Sequence, residues 1–163
     1  MRLGIIADTH GLLRAEVHDV FSGVDRIIHA GDVGDAAILD ELGLLAPVTA
    51  VYGNLDDGAL RRRLPQVAHL EADGLRNVVT HGDQFSVPKP GMLKVAFPDA
   101  DVIVFGHTHR PLIHDLPDFS VVLNPGSAGP KRFGLLPSVA IMETEAGIPP
   151  RARIVRLDER QTM

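Results

Sequence analysis

The chain contains no cysteine among its 163 residues. That excludes disulfides, zinc–thiolate sites and cysteine nucleophiles, and it is compatible with a reducing compartment. Positive charge is not in excess: 16 Lys and Arg face 21 Asp and Glu, a net charge of −5. A broad grip on nucleic acid or an anionic membrane is therefore not expected. Small phosphate esters stay open, because a local cluster of cations can work within an acidic protein. No segment approaches the ~18 uninterrupted apolar residues of a membrane span. The start, "MRLGIIADTHG", is broken by Asp8 and His10 too early for a signal peptide. The expectation is a soluble, cytoplasmic protein. Tryptophan is absent and tyrosine occurs once, against eight histidines. An inventory tilted toward imidazole is a first pointer to metal chemistry, which position has to decide.

A length of 163 residues predicts one domain, 1–163, that buries roughly 70% of its unfolded surface and needs no covalent staples. Short β-rich runs recur at 3–8, 25–32, 48–54, 77–83, 100–109, 119–127, 138–145 and 152–157. Several are continuously apolar, as strands covered on both faces are. Helical patterns fall between the early runs. Residues 12–23 place Leu13, Val17, Val20 and Phe21 on one stripe, with Gly23 as a stop. Residues 36–45 follow Asp35, a good N-cap. Residues 58–64 end before Pro65, and 90–97 open on a proline. Strands alternating with helices, then strands alone, predict an α/β fold: a four-layer α/β/β/α sandwich with two mixed sheets. "SVPKPG" (86–91) reads as a loop.

Each early run ends in candidate metal ligands: Asp8 and His10, Asp32, Asn54, His81, then His107 and His109. The carboxyl ends of parallel strands share one sheet edge, where α/β proteins place their sites. Residues two apart in extended chain project to the same side, so Asp8 and His10, and likewise His107 and His109, can converge. Imidazole and carboxylate without thiolate suit Mn, Fe, Zn, Ni or Co and disfavour calcium. Seven donors exceed the needs of one tetrahedral zinc. Two ions ~3.5–4 Å apart would use them and polarise a phosphoryl group. Taken singly, Asp8 and Asp32 could be turn or cap residues, and His81 a satisfied strand-end histidine. Capping does not explain why the histidines cluster at the same exits.

The ordered set "DTH", "GD", "GNLD", "THG" and "GHTH" resembles the calcineurin-like metallophosphoesterase superfamily. With the later "NPGS" (124–127) and the short length, the chain is most similar to its small single-domain phosphodiesterase branch. The resemblance covers residues 8 to 127. It implies a dinuclear metal-dependent phosphoesterase that hydrolyses phosphodiesters, and some monoesters, by metal-activated hydroxide. It further implies that Asp8, His10, Asp32 and His109 hold one divalent ion, with manganese first and nickel, iron, zinc and cobalt as alternatives. Asp32 would bridge to a second ion, held also by Asn54, His81 and His107. Asp32, Asn54 and His107 would act in catalysis, with Asp56 orienting His10. Many superfamily members carry histidine directly after the "GN" asparagine. Here that position is Leu55, which donates no proton, so weaker activity on poor leaving groups is expected.

The remaining expectations are plainer. His18, His29, His69 and His114 read as surface or core residues, and Arg61, Arg62 and Arg63 as a solvated helix face. "NPGS" reads as a turn closing the rim, and Phe133 as packing or as a cover for the site. The partner is a small phosphate ester, and the resemblance allows a homodimer or homotetramer. The alternative is a metal-binding scaffold with weak or no catalysis. It has a basis in fold, because the retromer scaffold subunit is similar, but that subunit lacks the full ligand set.

Overall fold

A computed structural model describes residues 1–157. The elements run β1 (Arg2–Ile6), α1 (Glu16–Val20), β2 (Arg26–His29), α2 (Ala36–Gly43), β3 (Val48–Ala50), α3 (Gly58–Arg63), β4 (Val67–Ala72) and β5 (Leu75–Thr80). A 3₁₀ turn (Asp83–Phe85), α4 (Pro90–Ala96), β6 (Val102–Val104), β7 (Leu112–Asp115), β8 (Val121–Asn124), β9 (Ser138–Glu145) and β10 (Ile148–Arg156) complete the described chain. One sheet has the order β10-β9-β1-β2-β3 and the other β4-β5-β6-β8-β7.

Alternation along the strands explains the layers. Leu3 and Ile5 of β1 face inward with Val79, Val102, Val104 and Leu123 of the opposite sheet. Ile6 faces outward, onto Val17 and Phe21 of the first helical segment and Ile38, Leu39 and Leu42 of α2. Gly4 also faces that way. A Cβ there would come within 2.9 Å of the Phe21 ring, so the helix packs against bare backbone. On the far side, Val78, Ile103 and Val122 meet Leu93 of α4. The four layers and two mixed sheets are those expected.

β1, β2 and β3 run parallel, as do β5, β6 and β8, so six carboxyl ends open on one edge. The antiparallel members lie outside them. Helix bounds follow local chemistry. Asp35 accepts from the Ala37 N–H and caps α2, Asp57 caps α3, and Pro90 opens α4.

Three expectations are corrected. The helix expected over 12–23 is one short turn, Glu16–Val20, whose N-cap Ala15 makes no side-chain cap. Leu13 still packs on the same cluster. Strands β4 and β7 were not anticipated. β4 is an edge strand with a half-exposed, charge-bearing pattern and no apolar run. Its signal lay in the turn: Asp73 and Gly74 both have positive φ, the geometry that Asp-Gly favours in a tight hairpin. β7 is mostly exposed and, among the described residues, pairs only with β8. Among the described residues, no helix is long and apolar enough to cross a membrane.

Candidate metal centre

The seven candidate ligands all lie in loops just past strand ends, not in the strands themselves. β1 stops at Ile6, β2 at His29 and β6 at Val104. Asp8, His10, Asp32, His107 and His109 all have left-handed backbone, with φ between 47° and 68°. Their convergence is therefore made by turns and not by the two-residue period of extended chain. Such conformations are uncommon outside glycine and are held only where surroundings over-determine them. The surroundings are backbone hydrogen bonds between neighbouring loops: Asp8 N–H to Gly31 O, His10 N–H to Asp32 O, and Gly106 N–H to His81 O.

Each carboxylate spends one oxygen on a backbone donor and aims the other inward. Asp8 Oδ2 accepts from the His107 N–H at 3.1 Å. Its Oδ1 lies 3.3 Å from His109 Nε2, 3.6 Å from His10 Nε2 and 3.8 Å from His81 Nε2. Asp32 Oδ1 accepts from the Leu55 N–H at 2.9 Å, and its Oδ2 is 3.1 Å from His81 Nε2 and 3.9 Å from His10 Nε2. His10 and His109 bring their Nε2 atoms within 3.2 Å of each other. Two groups thus have ligand-atom spacing suited to an ion: Asp8 with His10 and His109, and Asp8 with Asp32 and His81. Asp8 belongs to both. His107 joins the second side through its ring, 5.2 Å from that of His81 in an edge contact. Asn54 is exposed at the same rim, where its carbonyl accepts from Arg61.

Donor chemistry fits a cation. His81 Nδ1 lies 2.8 Å from Ala30 O. A carbonyl only accepts, so Nδ1 carries the proton and Nε2 faces the carboxylates. Asp8 Oδ1 and His81 Nε2 are both buried and without a hydrogen-bond partner. Buried polar atoms left in that state are costly, and a metal ion would satisfy both. Electrostatics agree. Burial alone would raise the Asp8 carboxyl, but the imidazoles of His10, His109 and His81 close around it hold it well below its usual range. Burial would likewise lower His81, yet the Asp32 and Asp8 carboxylates push it up to about 9. Asp32 is held low despite burial by His81 and the Leu55 N–H. The cluster stabilises positive charge at its centre.

One expected role is corrected and another extended. Asp56 does not touch His10. Its Oδ1 accepts from the Gly34 N–H and its Oδ2 from the Gly53 N–H, at 2.9 and 2.8 Å. It ties the Asp32 loop to the Asn54 loop, which sets both ligands indirectly. Arg61 is exposed, as expected, but it is more than a solvated charge: it donates to Asn54 O and Asp56 O at 2.8 and 2.9 Å, with its guanidinium 5.2 Å from the Tyr52 ring centroid. "NPGS" holds the rim as anticipated. Asn124 Nδ2 donates to Gly106 O at 2.9 Å and to Thr108 Oγ1 at 3.1 Å, while Ser127 Oγ donates to Asp8 O at 3.0 Å.

His29, expected to be a plain surface or core residue, is a positioning residue. It is fully buried. Thr9 Oγ1 donates to Val33 O at 2.8 Å, so it accepts from His29 Nε2–H at 3.0 Å; Nδ1 accepts from the Gly31 N–H at 3.2 Å. One neutral imidazole thereby pins the backbone between Asp8 and His10 and that just before Asp32. Burial pushes its pKa down to about 4, despite the nearby carboxylates. A histidine within an apolar strand carried no further sequence signal.

The family model for the calcineurin-like phosphoesterase superfamily domain matches residues 1–147. The chain belongs to that superfamily. It is accordingly a metal-dependent phosphoesterase, a hydrolase acting on phosphate esters. A relative in Methanocaldococcus jannaschii named "Probable metallophosphoesterase" is 39% identical over 168 residues, spanning 98% of this chain and 83% of its own. Among solved structures, an archaeal phosphodiesterase is 26% identical with a TM-score of 0.76, covering 95% of this chain and 100% of that one. Vps29 of Entamoeba histolytica, solved with Zn²⁺, matches at 20% identity and a TM-score of 0.76, covering 97% of this chain and 100% of that one. At that identity the likeness speaks to fold alone.

Proposed function

We propose that this superfamily member is a dinuclear phosphodiesterase that also accepts some monoesters. In this reading Asp8, His10, Asp32 and His109 hold one divalent ion, and Asp32, Asn54, His81 and His107 the other. Manganese is the first choice among manganese, nickel, iron, zinc and cobalt. The observation that carries the reading is the pair of buried, partnerless atoms, Asp8 Oδ1 and His81 Nε2, amid further imidazole nitrogens. Divalent ions bound there would polarise a phosphoryl oxygen and lower the pKa of water.

The chain's own residues do the rest. Backbone N–H groups of His107 and Leu55 hold the two carboxylates in orientation. Ala30 fixes the His81 tautomer. Asp56, Arg61 and His29 lock the ligand loops together, so little reorganisation is needed as charge develops on phosphate. Leu55, 62% exposed at the rim, supplies no proton to a leaving group, which favours esters whose leaving group departs unaided. A cytoplasmic homodimer or homotetramer acting on a small phosphate ester completes the proposal.

The test is hydrolysis of bis(p-nitrophenyl) phosphate with manganese, nickel, cobalt, magnesium and zinc in turn. Metal-dependent turnover that Asp32→Ala abolishes is expected. Stoichiometric metal with no turnover across an ester panel would support the scaffold alternative, and near wild-type turnover in Asp32→Ala would overturn the bridging role.

A further inference from the structure

Ions recognise phosphate and not what it esterifies, so selectivity must come from side chains around the centre. Phe133 is the aromatic placed to supply it. It is 77% exposed, and its ring centroid lies 5.7 Å from that of His109, tilted by 59°. The loop carrying it is anchored to the metal centre itself. Gly129 N–H and Ser127 Oγ both donate to Asp8 O, at 3.2 and 3.0 Å. Arg14 donates to Gly129 O through Nε and Nη2, at 3.2 and 3.1 Å.

The tip of this loop is a tight turn, closed by Leu135 N–H to Arg132 O at 3.0 Å. Phe133 and Gly134 are both left-handed there, with φ of 56° and 67°. A bulky aromatic in that region is uncommon, and nothing in core packing calls for it. Phe119 is as exposed but lines a separate cleft with Pro149 and Pro150. Across the centre, exposed Leu55 borders the Asp32 side through its N–H. The centre thus has an exposed aromatic ring beside His109 and the backbone of an exposed leucine beside Asp32, and the exposed cation Arg132 precedes the aromatic.

We propose that Phe133 is a stacking platform that selects phosphate esters carrying a planar aromatic arm, either an aryl group or a nucleobase. This rests on the metal-dependent phosphoesterase reading above and specifies its substrate class. A phosphate held at the ions and a ring laid on Phe133 would be two ends of one ligand. Because stacked rings prefer offset or tilted contact, Phe133 would lie between the ligand ring and His109.

The test is calorimetric titration of the manganese-loaded protein with methylphosphonate, phenylphosphonate and adenosine 5′-monophosphate. Phenylphosphonate or the nucleotide should bind about tenfold more tightly than methylphosphonate, as stacking on one aromatic side chain allows. The advantage should vanish in Phe133→Ala and Phe133→Leu and persist in Phe133→Tyr, with thermal midpoints unchanged. A gain confined to the nucleotide would identify the base as the source; a gain in both would identify any aryl ring. No advantage for either ligand, or an advantage that survives in Phe133→Leu, would overturn the proposal. Turnover of bis(p-nitrophenyl) phosphate by the same wild-type preparation reports separately on the metal-dependent reading.

Discussion

Leu55 stands where many superfamily members have histidine, and its backbone is already tied to Asp32. A histidine there would add a proton donor without disturbing that tie. Leu55→His is expected to raise turnover of phenyl phosphate, a monoester with a poor leaving group, by about tenfold or more, toward the 10²–10⁴ range of general acid catalysis. No change in kcat would show that the proton comes from elsewhere. The clustering of Asp8, His10, Asp32, His81 and His109 was legible at this scale, because unusual residue types recur at successive strand exits. The residues that steady them were not. Asp56, Arg61 and His29 act through contacts with backbone carbonyls, backbone N–H groups and a threonine hydroxyl. Every backbone offers such groups, so composition and spacing carry no trace of which partner is chosen.

The strands themselves carry none of the candidate ligands; the turns that leave them do. Parallel β1–β2–β3 and β5–β6–β8 bring those turns to a common edge, and close approach between loops brings the atoms within reach of each other. Gly53 marks a tight approach between two of these loops. A Cβ there would collide with Asp32 Oδ1 and lie 2.5 Å from the Asp32 backbone nitrogen. Gly53→Ala is expected to leave the fold intact, because the displaced group is in a loop, but to weaken manganese binding about 10–100-fold. Unchanged affinity by calorimetry would show that the loops can separate without cost to the site. Elements with continuous apolar character were legible in the sequence. The edge strands β4 and β7 were not, because exposure interrupts their apolar character with polar and charged residues. The left-handed turns were hidden as well, since aspartate and histidine in positive φ look no different in sequence from the same residues in a strand.

For the whole molecule, two sheets close over an apolar interior that includes a fully buried neutral imidazole at the edge of the site. Unfolded, His29 would titrate near 6.5; folded, it does so at about 4. Between those values the unfolded chain binds the extra proton, so stability of the metal-free protein falls as pH drops from about 6.5 toward 4. The loss approaches about 3 kcal/mol across the window. His81, raised to about 9, contributes stability that is fully present below 6.5 and disappears only as pH rises through 9, so it adds no slope there. Urea midpoints at pH 4.5, 5.5 and 6.5 in chelator should fall with acid in the wild type and much less in His29→Gln. Equal slopes would place the titrating group elsewhere. The layered architecture was legible because alternating strand and helix patterns admit few packings. The choice of which polar groups to bury was not, because burial is decided by both sheets together.

Separate loops gather carboxylates and imidazoles at one edge of this molecule, and the proposed function makes that edge a centre for two divalent cations. The most direct test is anomalous diffraction from a crystal soaked in manganese. Two peaks are expected, one beside Asp8, His10 and His109 and one beside Asp32, His81 and His107. A map with no anomalous density among these side chains would contradict the account.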